Sequence, residues 1–169
     1  SGYQDGRYFI RVDNPKYQLW SSPGQSFKGD VVVEVTADLA RGPQKNELGV
    51  ICRYQDKKNF IYGSIGTDGY YAIVEIKDDE ATILTGGGKF QQADAIPVGN
   101  ETYDIRLACE GDRYTLFVNG EQIDSANSSA FSKATATCPA AVSSTSRSRL
   151  RFNTSRLSDE GPASDARVV

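Results

Sequence analysis

Apolar and polar residues alternate along the chain from about residue 31 to residue 125. In the run 31–39, valine, alanine and leucine occupy the odd positions, and the even positions are mainly polar. The run 48–55 shows the same period of two, which is the period of a half-buried β-strand. Similar short runs follow at 59–66, 70–77, 81–84, 102–109 and 113–118. The pattern predicts a succession of strands and no amphipathic helix.

Turn-forming residues separate these runs at 56–59, 67–69, 77–80, 110–112 and Asn119-Gly120. Asn-Gly between two apolar runs favours a two-residue hairpin, because both turn positions need a positive φ. Many short strands at regular spacing are typical of an antiparallel sandwich. The predicted fold class is therefore all-β, a two-sheet antiparallel jelly-roll sandwich. Its predicted core comprises Val31, Val33, Val35, Val50, Cys52, Ile105, Leu107, Leu116 and Val118.

The composition of the chain changes near residue 125. Fifteen of the sixteen glycines lie at or before Gly120, and all nine tyrosines lie at or before Tyr114. From Ala126 onward the chain is rich in Ser, Ala, Thr and Arg. We therefore divide it into a sandwich body, residues 1–125, and an atypical C-terminal segment, residues 126–169.

Charge and missing residue types exclude several classes of function. The net charge of -3 and the pI near 5.0 argue against nucleic acid or an anionic membrane surface as the partner. The sequence contains no histidine, which excludes His-dependent triads and His-ligated zinc. No apolar run approaches the roughly 18 residues of a membrane-spanning helix. We expect neither nucleic-acid binding nor membrane insertion.

Several segments of the body resemble one fold family. The segments Leu48-Gly-Val-Ile-Cys-Arg-Tyr-Gln-Asp56, Asn59-Phe-Ile-Tyr62, Asp68-Gly-Tyr-Tyr71 and Tyr114-Thr-Leu-Phe-Val-Asn-Gly120 are similar to the concanavalin A-like lectin/glucanase sandwich. Within that group they resemble laminin-G-like domains and the 3-keto-disaccharide hydrolase (DUF1080) domains of bacterial secreted proteins. The resemblance covers about residues 7–125 and implies a two-sheet sandwich. It leaves the activity open, because lectins, hydrolases and adhesion modules share this fold.

The C-terminal segment departs from the pattern of that family. Such modules continue with a glycine-bearing strand and a closing strand, whereas this chain continues Lys133-Ala-Thr-Ala-Thr-Cys138 after Phe131-Ser132. One interpretation is a frame-shifted version of the family's last strands, which predicts little regular structure here. The other is a natural, flexible Ser/Arg-rich linker.

The first two of the three cysteines are expected to face the core. Cys52 shares a strand face with Val50, and Cys109 shares one with Leu107. Two core-facing cysteines on strands of a sandwich are compatible with a disulfide in a secreted chain. The alternative is a pair of buried free thiols that pack as small hydrophobes. We predict the Cys52–Cys109 disulfide, with Cys138 left over.

Carboxylates suggest two further kinds of site, both weakly supported. Glu34 and Asp38 share a strand face, but about 13 Å of strand separates them, which is too long for a glycosidase pair. We therefore expect no catalytic residue and regard enzyme activity as unsettled. Calcium could be held by Asp56, Asn59 and Asp68, or by Asp78, Asp79 and Glu80. Turn formation explains those acids equally well, so no cofactor and no metal site is predicted.

Aromatic and planar polar residues indicate a ligand-binding face. Sugar sites stack rings on exposed Trp or Tyr, while planar polar side chains bind the hydroxyl groups. Of the adjacent pair Tyr70 and Tyr71 one must point outward, and we expect this of Tyr71. The predicted ligand-binding residues are Arg53, Gln55, Glu34, Tyr71 and Trp20. Alternatively, Trp20 closes one end of the sandwich and Arg53 forms a surface ion pair.

These observations lead to the prediction of a non-catalytic extracellular module that binds carbohydrate. The alternative is a protein-interaction or self-assembling surface module, and a weaker one is a glycoside-processing hydrolase. The expected partners are an extracellular saccharide or a cell-surface protein, with homo-oligomers as an option. The absent initiator Met and the core-facing cysteines suggest a secreted or cell-surface bacterial protein.

Overall fold

A computed structural model describes the backbone of most of the chain. The described ranges are 2–4, 7–12, 17–21, 26–27, 29–41, 46–99, 101–131, 136–137, 140–144, 148–153 and 164–167. Side chains are described for Ile10 and for residues 29–38, 46–99 and 101–131. All statements below concern these residues.

Every regular element in these ranges is a β-strand. The strands of the N-terminal half are β1 (Gly2–Gln4), β2 (Arg7–Val12), β3 (Tyr17–Ser21), β4 (Ser26–Phe27), β5 (Val31–Arg41), β6 (Glu47–Asp56), β7 (Asn59–Gly66), β8 (Tyr70–Lys77) and β9 (Glu80–Ile83). The remaining strands are β10 (Gln91–Gln92), β11 (Thr102–Glu110), β12 (Arg113–Val118), β13 (Glu121–Asn127), β14 (Ala136–Thr137), β15 (Ala140–Ser144), β16 (Ser148–Asn153) and β17 (Ser164–Arg167). No helix in the described chain is long and apolar enough to cross a membrane.

The strands form two large sheets and one small ribbon. Sheet I has the order β1-β2-β16-β5-β11-β12-β13, with β17 added parallel to β5. Sheet II has the order β10-β8-β7-β6-β14-β4, with β9 also paired to β8. Strands β3 and β15 pair with each other in a two-stranded ribbon. Apart from the β5–β17 pair the pairing is antiparallel, which confirms the predicted two-sheet sandwich.

The main core lies between the two sheets. It takes every second residue of β5, β6, β11 and β12, because alternate side chains of a strand point to opposite faces. All nine predicted core residues are at most 1% exposed. A disulfide between Cys52 on β6 and Cys109 on β11 joins the two sheets through this core, with a Cα–Cα distance of 6.7 Å.

A second, smaller apolar cluster lies on the outer face of sheet II. Its members are Ile51, Phe60, Tyr62, Ala72 and Val74, which alternate with the residues of the main core. Strand β15 of the ribbon lies close to β6. Sheet II is therefore apolar on both faces over part of its area.

The C-terminal segment contributes strands to both large sheets. Strand β16 pairs with β2 on one side and β5 on the other, which makes it an interior strand of sheet I. Its register places Leu150 opposite Leu39, and Phe152 opposite Ala37. The run Ser148–Asn153 alternates arginine with apolar residues, and this alternation fits a strand. The boundary that we drew after residue 125 falls inside β13, and the origin of the segment stays a hypothesis.

Candidate functional site

A row of residues crosses the outer face of sheet II at the end where β6 begins. Gln92 on β10 pairs with Tyr70 on β8, and Glu47 on β6 pairs with Gly66 on β7. The β7–β8 register continues so that Gly66 and Tyr70 are also opposite one another. Directly opposite residues of antiparallel strands share a face and lie about 5 Å apart. The row therefore runs in the order Glu47, Gly66, Tyr70, Gln92.

Tyr70 supplies the exposed aromatic ring of this row. It is 41% exposed, whereas its neighbour Tyr71 is 7% exposed and belongs to the main core. The Tyr71 hydroxyl donates a hydrogen bond to Asp124 Oδ2 at 3.1 Å, and burial, followed by Asp124, raises the pKa of Tyr71. The expectation that Tyr71 points outward is wrong. The cause is strand parity, because Ile73 two positions along also points into the core.

Asp68 places a second functional group over the middle of the row. It lies in the turn between β7 and β8, which Gly69 N–H closes with a hydrogen bond of 2.9 Å to the Gly66 carbonyl. A Cβ atom on Gly66 would lie 2.3 Å from Asp68 Oδ1, so any larger residue at position 66 would displace this carboxylate. Glycine at position 66 thus leaves space for the Asp68 side chain. We call Glu47, Asp68, Tyr70 and Gln92 the Tyr70 surface.

Glu47 is a half-buried carboxylate at the inner end of the Tyr70 surface. The Ser64 hydroxyl, itself buried, donates a hydrogen bond to Glu47 Oε1. Burial raises the pKa of Glu47, the Ser64 hydrogen bond opposes this, and the negative charge of Asp68 raises it further. Asp68 is the only charged group that contributes to this shift among the residues described. Glu47 and Asp68 therefore act on each other as a pair of like charges.

A row of small residues separates the Tyr70 surface from the outer apolar cluster. Gly49, Ser64 and Ala72 lie opposite one another on β6, β7 and β8. The next row along consists of Ile51, Tyr62 and Val74, which are buried. The outer face of sheet II thus has a buried apolar part and an open polar end, where Tyr70 and Gln92 are exposed.

Arg53 lies inside the sandwich, not on the outer face where the alternation of β6 placed it. It is 1% exposed. Its guanidinium donates to the Gly29 carbonyl, to the Cys109 carbonyl at 3.0 Å and to Asp30 Oδ1 at 3.3 Å. The backbone has φ 52° at Arg53, where the β6–β7 register shifts, so a bulge turns this side chain inward. The sequence pattern carries no sign of this bulge, and a fully buried Arg53 cannot present its guanidinium to a ligand.

The other predicted binding residues do not share a face. Gln55 is exposed beyond the bulge, at the opposite end of β6 from Glu47. Glu34 lies on the outer face of sheet I, opposite Arg106 of β11. Trp20 belongs to β3 of the ribbon, and its side chain lies outside the described residues.

Glu47 and Gln92 appear ordinary in sequence, Asp68 suggested only a calcium ligand or a turn residue, and Tyr71 was preferred to Tyr70 as the outward ring. The signal that could have found Tyr70 is its parity relative to the core residue Ile73. The same alternation places Glu47 on the outer face of sheet II, because Glu47 directly precedes the core residue Leu48.

Neither group of acids considered for calcium forms a metal site in the residues described. Asp56 and Asn59 flank the β6–β7 turn, whereas Asp68 lies at the far end of β7, about 25 Å away at 3.3 Å per residue. The Asp56 carboxylate accepts hydrogen bonds from Lys58 N–H and the Asn59 amide, and Asn59 Oδ1 accepts one from Asp78 N–H. These acids stabilise turns. Within the described chain no group of three His, Cys, Asp or Glu side chains is arranged to hold a metal ion.

The outer face of sheet I offers a contrasting surface. Arg106 lies over the ring of Phe117, with 5.2 Å between the guanidinium carbon and the ring centroid. The Thr36 hydroxyl donates a hydrogen bond of 2.6 Å to Asp104 Oδ1. Side chains on this face are therefore engaged with each other, and the ring of Phe117 is already covered by a cation.

No protein family matches the sequence of this chain, and no curated protein matches it. Solved structures do match its fold. Carbohydrate-binding module CBM66 from Bacillus subtilis is 14% identical with a TM-score of 0.64, over 87% of this chain and 91% of that one. SCLam, a non-specific endo-β-1,3(4)-glucanase of family GH16, is 11% identical with a TM-score of 0.56, over 89% and 70%. CG-16, a homodimeric agglutinin from chicken liver, is 10% identical with a TM-score of 0.53, over 80% and 99%.

These similarities establish the fold. The chain is a β-sandwich of the lectin/glucanase type, in agreement with the concanavalin A-like architecture that the sequence resemblance implied. At such low identity the likeness shows architecture alone, and function depends on the residues of the site.

Proposed function

We propose that this chain is a non-catalytic, extracellular carbohydrate-binding module whose ligand contacts the Tyr70 surface. The observation that carries the proposal is the exposed ring of Tyr70, which lies in one row with Gln92 and Glu47 and beside Asp68. An aromatic ring flanked by planar hydrogen-bonding groups is the combination that a sugar ring requires.

Each group of the surface has a distinct task in this proposal. The face of Tyr70 stacks against the apolar face of a pyranose ring. The Gln92 side chain is exposed, and its amide both donates to and accepts from sugar hydroxyls. The carboxylates of Asp68 and Glu47 accept hydrogen bonds from further hydroxyls, and charged acceptors form the stronger bonds. The surface is open, so we expect it to bind one or two sugar rings and not to enclose a ligand.

The fold supports a saccharide ligand. A carbohydrate-binding module, an agglutinin and a glucanase are among the solved structures with this architecture. We also propose that the chain is related to the laminin-G-like and 3-keto-disaccharide hydrolase domains that its sequence resembles. The Cys52–Cys109 disulfide supports export, because disulfides persist mainly in oxidising compartments.

Glycoside hydrolysis is a second candidate, favoured by the neighbouring carboxylates of Glu47 and Asp68. Burial and Asp68 raise the pKa of Glu47, which is the property of a general acid. The exposure of Tyr70 beside it favours binding without catalysis, because a carboxylate pair is most effective in a site that excludes water. Chromatography of each oligosaccharide after incubation with the protein separates the two functions, since only hydrolysis shortens the chain.

The direct test is calorimetric titration with a panel of neutral tetrasaccharides that contains gluco-, manno-, galacto-, xylo- and fructo-oligomers. Tyr70→Ala should weaken the best ligand about tenfold or more, which is the loss of one binding hot spot. Phe117→Ala is the matched control, because Phe117 is an aromatic residue on the outer face of the other sheet. Its affinity should equal that of the unsubstituted protein within about twofold.

Other outcomes reassign the function. Loss of binding in Phe117→Ala with retention in Tyr70→Ala would move the site to sheet I. No binding to any tetrasaccharide, together with concentration-dependent assembly in sedimentation, would favour the alternative of a protein-interaction or self-assembling module.

A further inference from the structure

The Tyr70 surface carries two carboxylates without an ionic partner in the described part of the chain. Neither Glu47 nor Asp68 forms a salt bridge there. Among the described residues the ion pairs are Arg53–Asp30 and Lys58–Asp79, and both lie at the end of β6 that is far from Glu47. The described groups of this surface therefore create a locally negative potential.

The negative charge at this surface has a physical consequence for any ligand. A positive group placed near Glu47 and Asp68 relieves their mutual repulsion, and a negative group adds to it. The exposed ring of Tyr70 acts in the same direction, because the face of a tyrosine ring attracts cations within about 6 Å of its centroid. The ring and the carboxylates are independent features, and both favour a cation at the Tyr70 surface.

The neutral residues of the surface, Tyr70 and Gln92, favour a sugar over a metal ion as the ligand. Gln92 carries no charge and offers an amide to hydroxyl groups. A bare metal ion would not use this amide together with an aromatic ring. A sugar that bears an ammonium group would use the ring, the amide and the carboxylates together.

We propose that the Tyr70 surface selects saccharides by charge: it binds a sugar with a protonated amino group more tightly than the N-acetylated form, and it rejects sugars that carry carboxylate or sulfate groups. This inference rests on the function proposed above and names its ligand class, the hexosamines with free amino groups.

The test uses three tetrasaccharides titrated against the full chain near pH 6 at low salt. They are the β-1,4-linked glucosamine tetramer, its fully N-acetylated counterpart and the galacturonate tetramer. The amino form should bind about tenfold more tightly than the acetylated form, which is the effect of one charge-assisted contact. This preference should fall towards unity in 1 M salt, where the screening length is about 3 Å, and the uronate should not bind.

Two variants assign the preference to the site. Asp68→Asn should reduce the ratio between the amino and acetylated ligands at least threefold. Glu80→Gln removes an exposed charge from β9 at the opposite end of sheet II and should leave the ratio unchanged. If the two variants reduced the affinity ratio equally, the preference would depend on the net charge of the protein and not on this surface, and the inference would be overturned.

The outcomes distinguish the inference from the function on which it rests. Equal affinity for the amino and acetylated tetramers, or binding of the uronate, overturns charge selection but leaves saccharide binding intact. Failure of all three ligands together with every neutral tetrasaccharide of the panel overturns the proposed function itself.

Discussion

The two ends of strand β6 each hold a charged side chain next to apolar residues, but the two side chains differ in burial and in hydrogen-bond partners. At one end Arg53 is fully buried, and backbone carbonyls of Gly29 and Cys109 accept its hydrogen bonds together with the Asp30 carboxylate. At the other end Glu47 is half-buried, has one hydroxyl partner in Ser64 and faces the like charge of Asp68.

The difference distinguishes a structural charge from a functional one. The partners of Arg53 come from two separate parts of the chain, residues 29–30 and residues 109–111, so they hold the end of the sandwich closed around the disulfide. Burial and, to a smaller degree, the like charge of Asp68 raise the pKa of Glu47, and perturbed carboxylates of this kind are concentrated at functional sites. Substitutions at the Arg53 end, the sealed end, should change the stability of the fold. Substitutions at the Glu47 end, the open end, should change ligand binding and its dependence on pH.

The largest stability effect is expected from the disulfide at the sealed end. Replacing both Cys52 and Cys109 by Ala opens a covalent link between residues 57 positions apart. The loss should be about 2–4 kcal/mol in the free energy of unfolding, since the unfolded chain gains the entropy of an open loop. Urea denaturation measures it, with the reduced unsubstituted protein as the control. A change below about 1 kcal/mol would mean that the two sheets are held together at this point without the covalent link.

Arg53→Ala should have the next largest effect, about 2–3 kcal/mol. The substitution leaves buried carbonyl oxygens such as that of Cys109 without a donor, and each such group costs about 1–3 kcal/mol. Arg53→Lys keeps the charge but cannot reach several acceptors at once, so it should lose an intermediate amount.

The matched control for Arg53 is Lys58→Ala. It removes an exposed ion pair with Asp79, 3.8 Å long, and should change stability by less than about 0.5 kcal/mol. Equal losses in the Arg53 and Lys58 variants would show that Arg53 is a surface residue in solution.

Glu47 should produce a smaller effect that depends on pH. Its pKa in the folded protein is raised above the ordinary value of 4.5, so the folded state holds the proton more tightly than the unfolded chain. Protonated Glu47 therefore contributes its full share to the stability of the folded state below pH 4.5. This contribution is lost as the pH rises through the pKa of Glu47 in the folded protein.

Glu47→Gln removes this pH dependence. The variant should gain stability relative to the unsubstituted protein as the pH rises from 4 to 7, as measured by thermal melts across that range. Asp68→Asn lowers the pKa of Glu47 by removing a like charge, so it should weaken the dependence without abolishing it. A constant difference between Glu47→Gln and the unsubstituted protein at every pH would contradict the raised pKa.

The sequence predicted the sandwich because its core follows the strand period without interruption. Val31, Val33 and Val35 are buried as the alternation requires, and Cys52 meets Cys109 because both follow the same rule. The rule fails at Arg53, where a bulge reverses the face of the side chain, and a bulge in a non-glycine residue leaves no mark in the pattern.

The sequence could predict the type of residues in the candidate site but not their positions. An outward tyrosine with polar neighbours was expected, but the parity of β8 selects Tyr70 over Tyr71. The four residues of the Tyr70 surface come from β6, the β7–β8 turn, β8 and β10, so only the pairing of the strands brings them together. No local spacing connects Glu47 with Gln92.

The most direct test of the central claim is a two-dimensional amide NMR titration of the full chain with the tightest ligand found among the saccharides above. The claim is that the open end of sheet II binds ligand while the sealed end only holds the fold. We expect the largest shifts at residue 47, residues 66–70 and residue 92, with Arg53, Cys109 and Gly111 unmoved. Shifts concentrated around Arg53, or on the outer face of sheet I near Arg106 and Phe117, would contradict it.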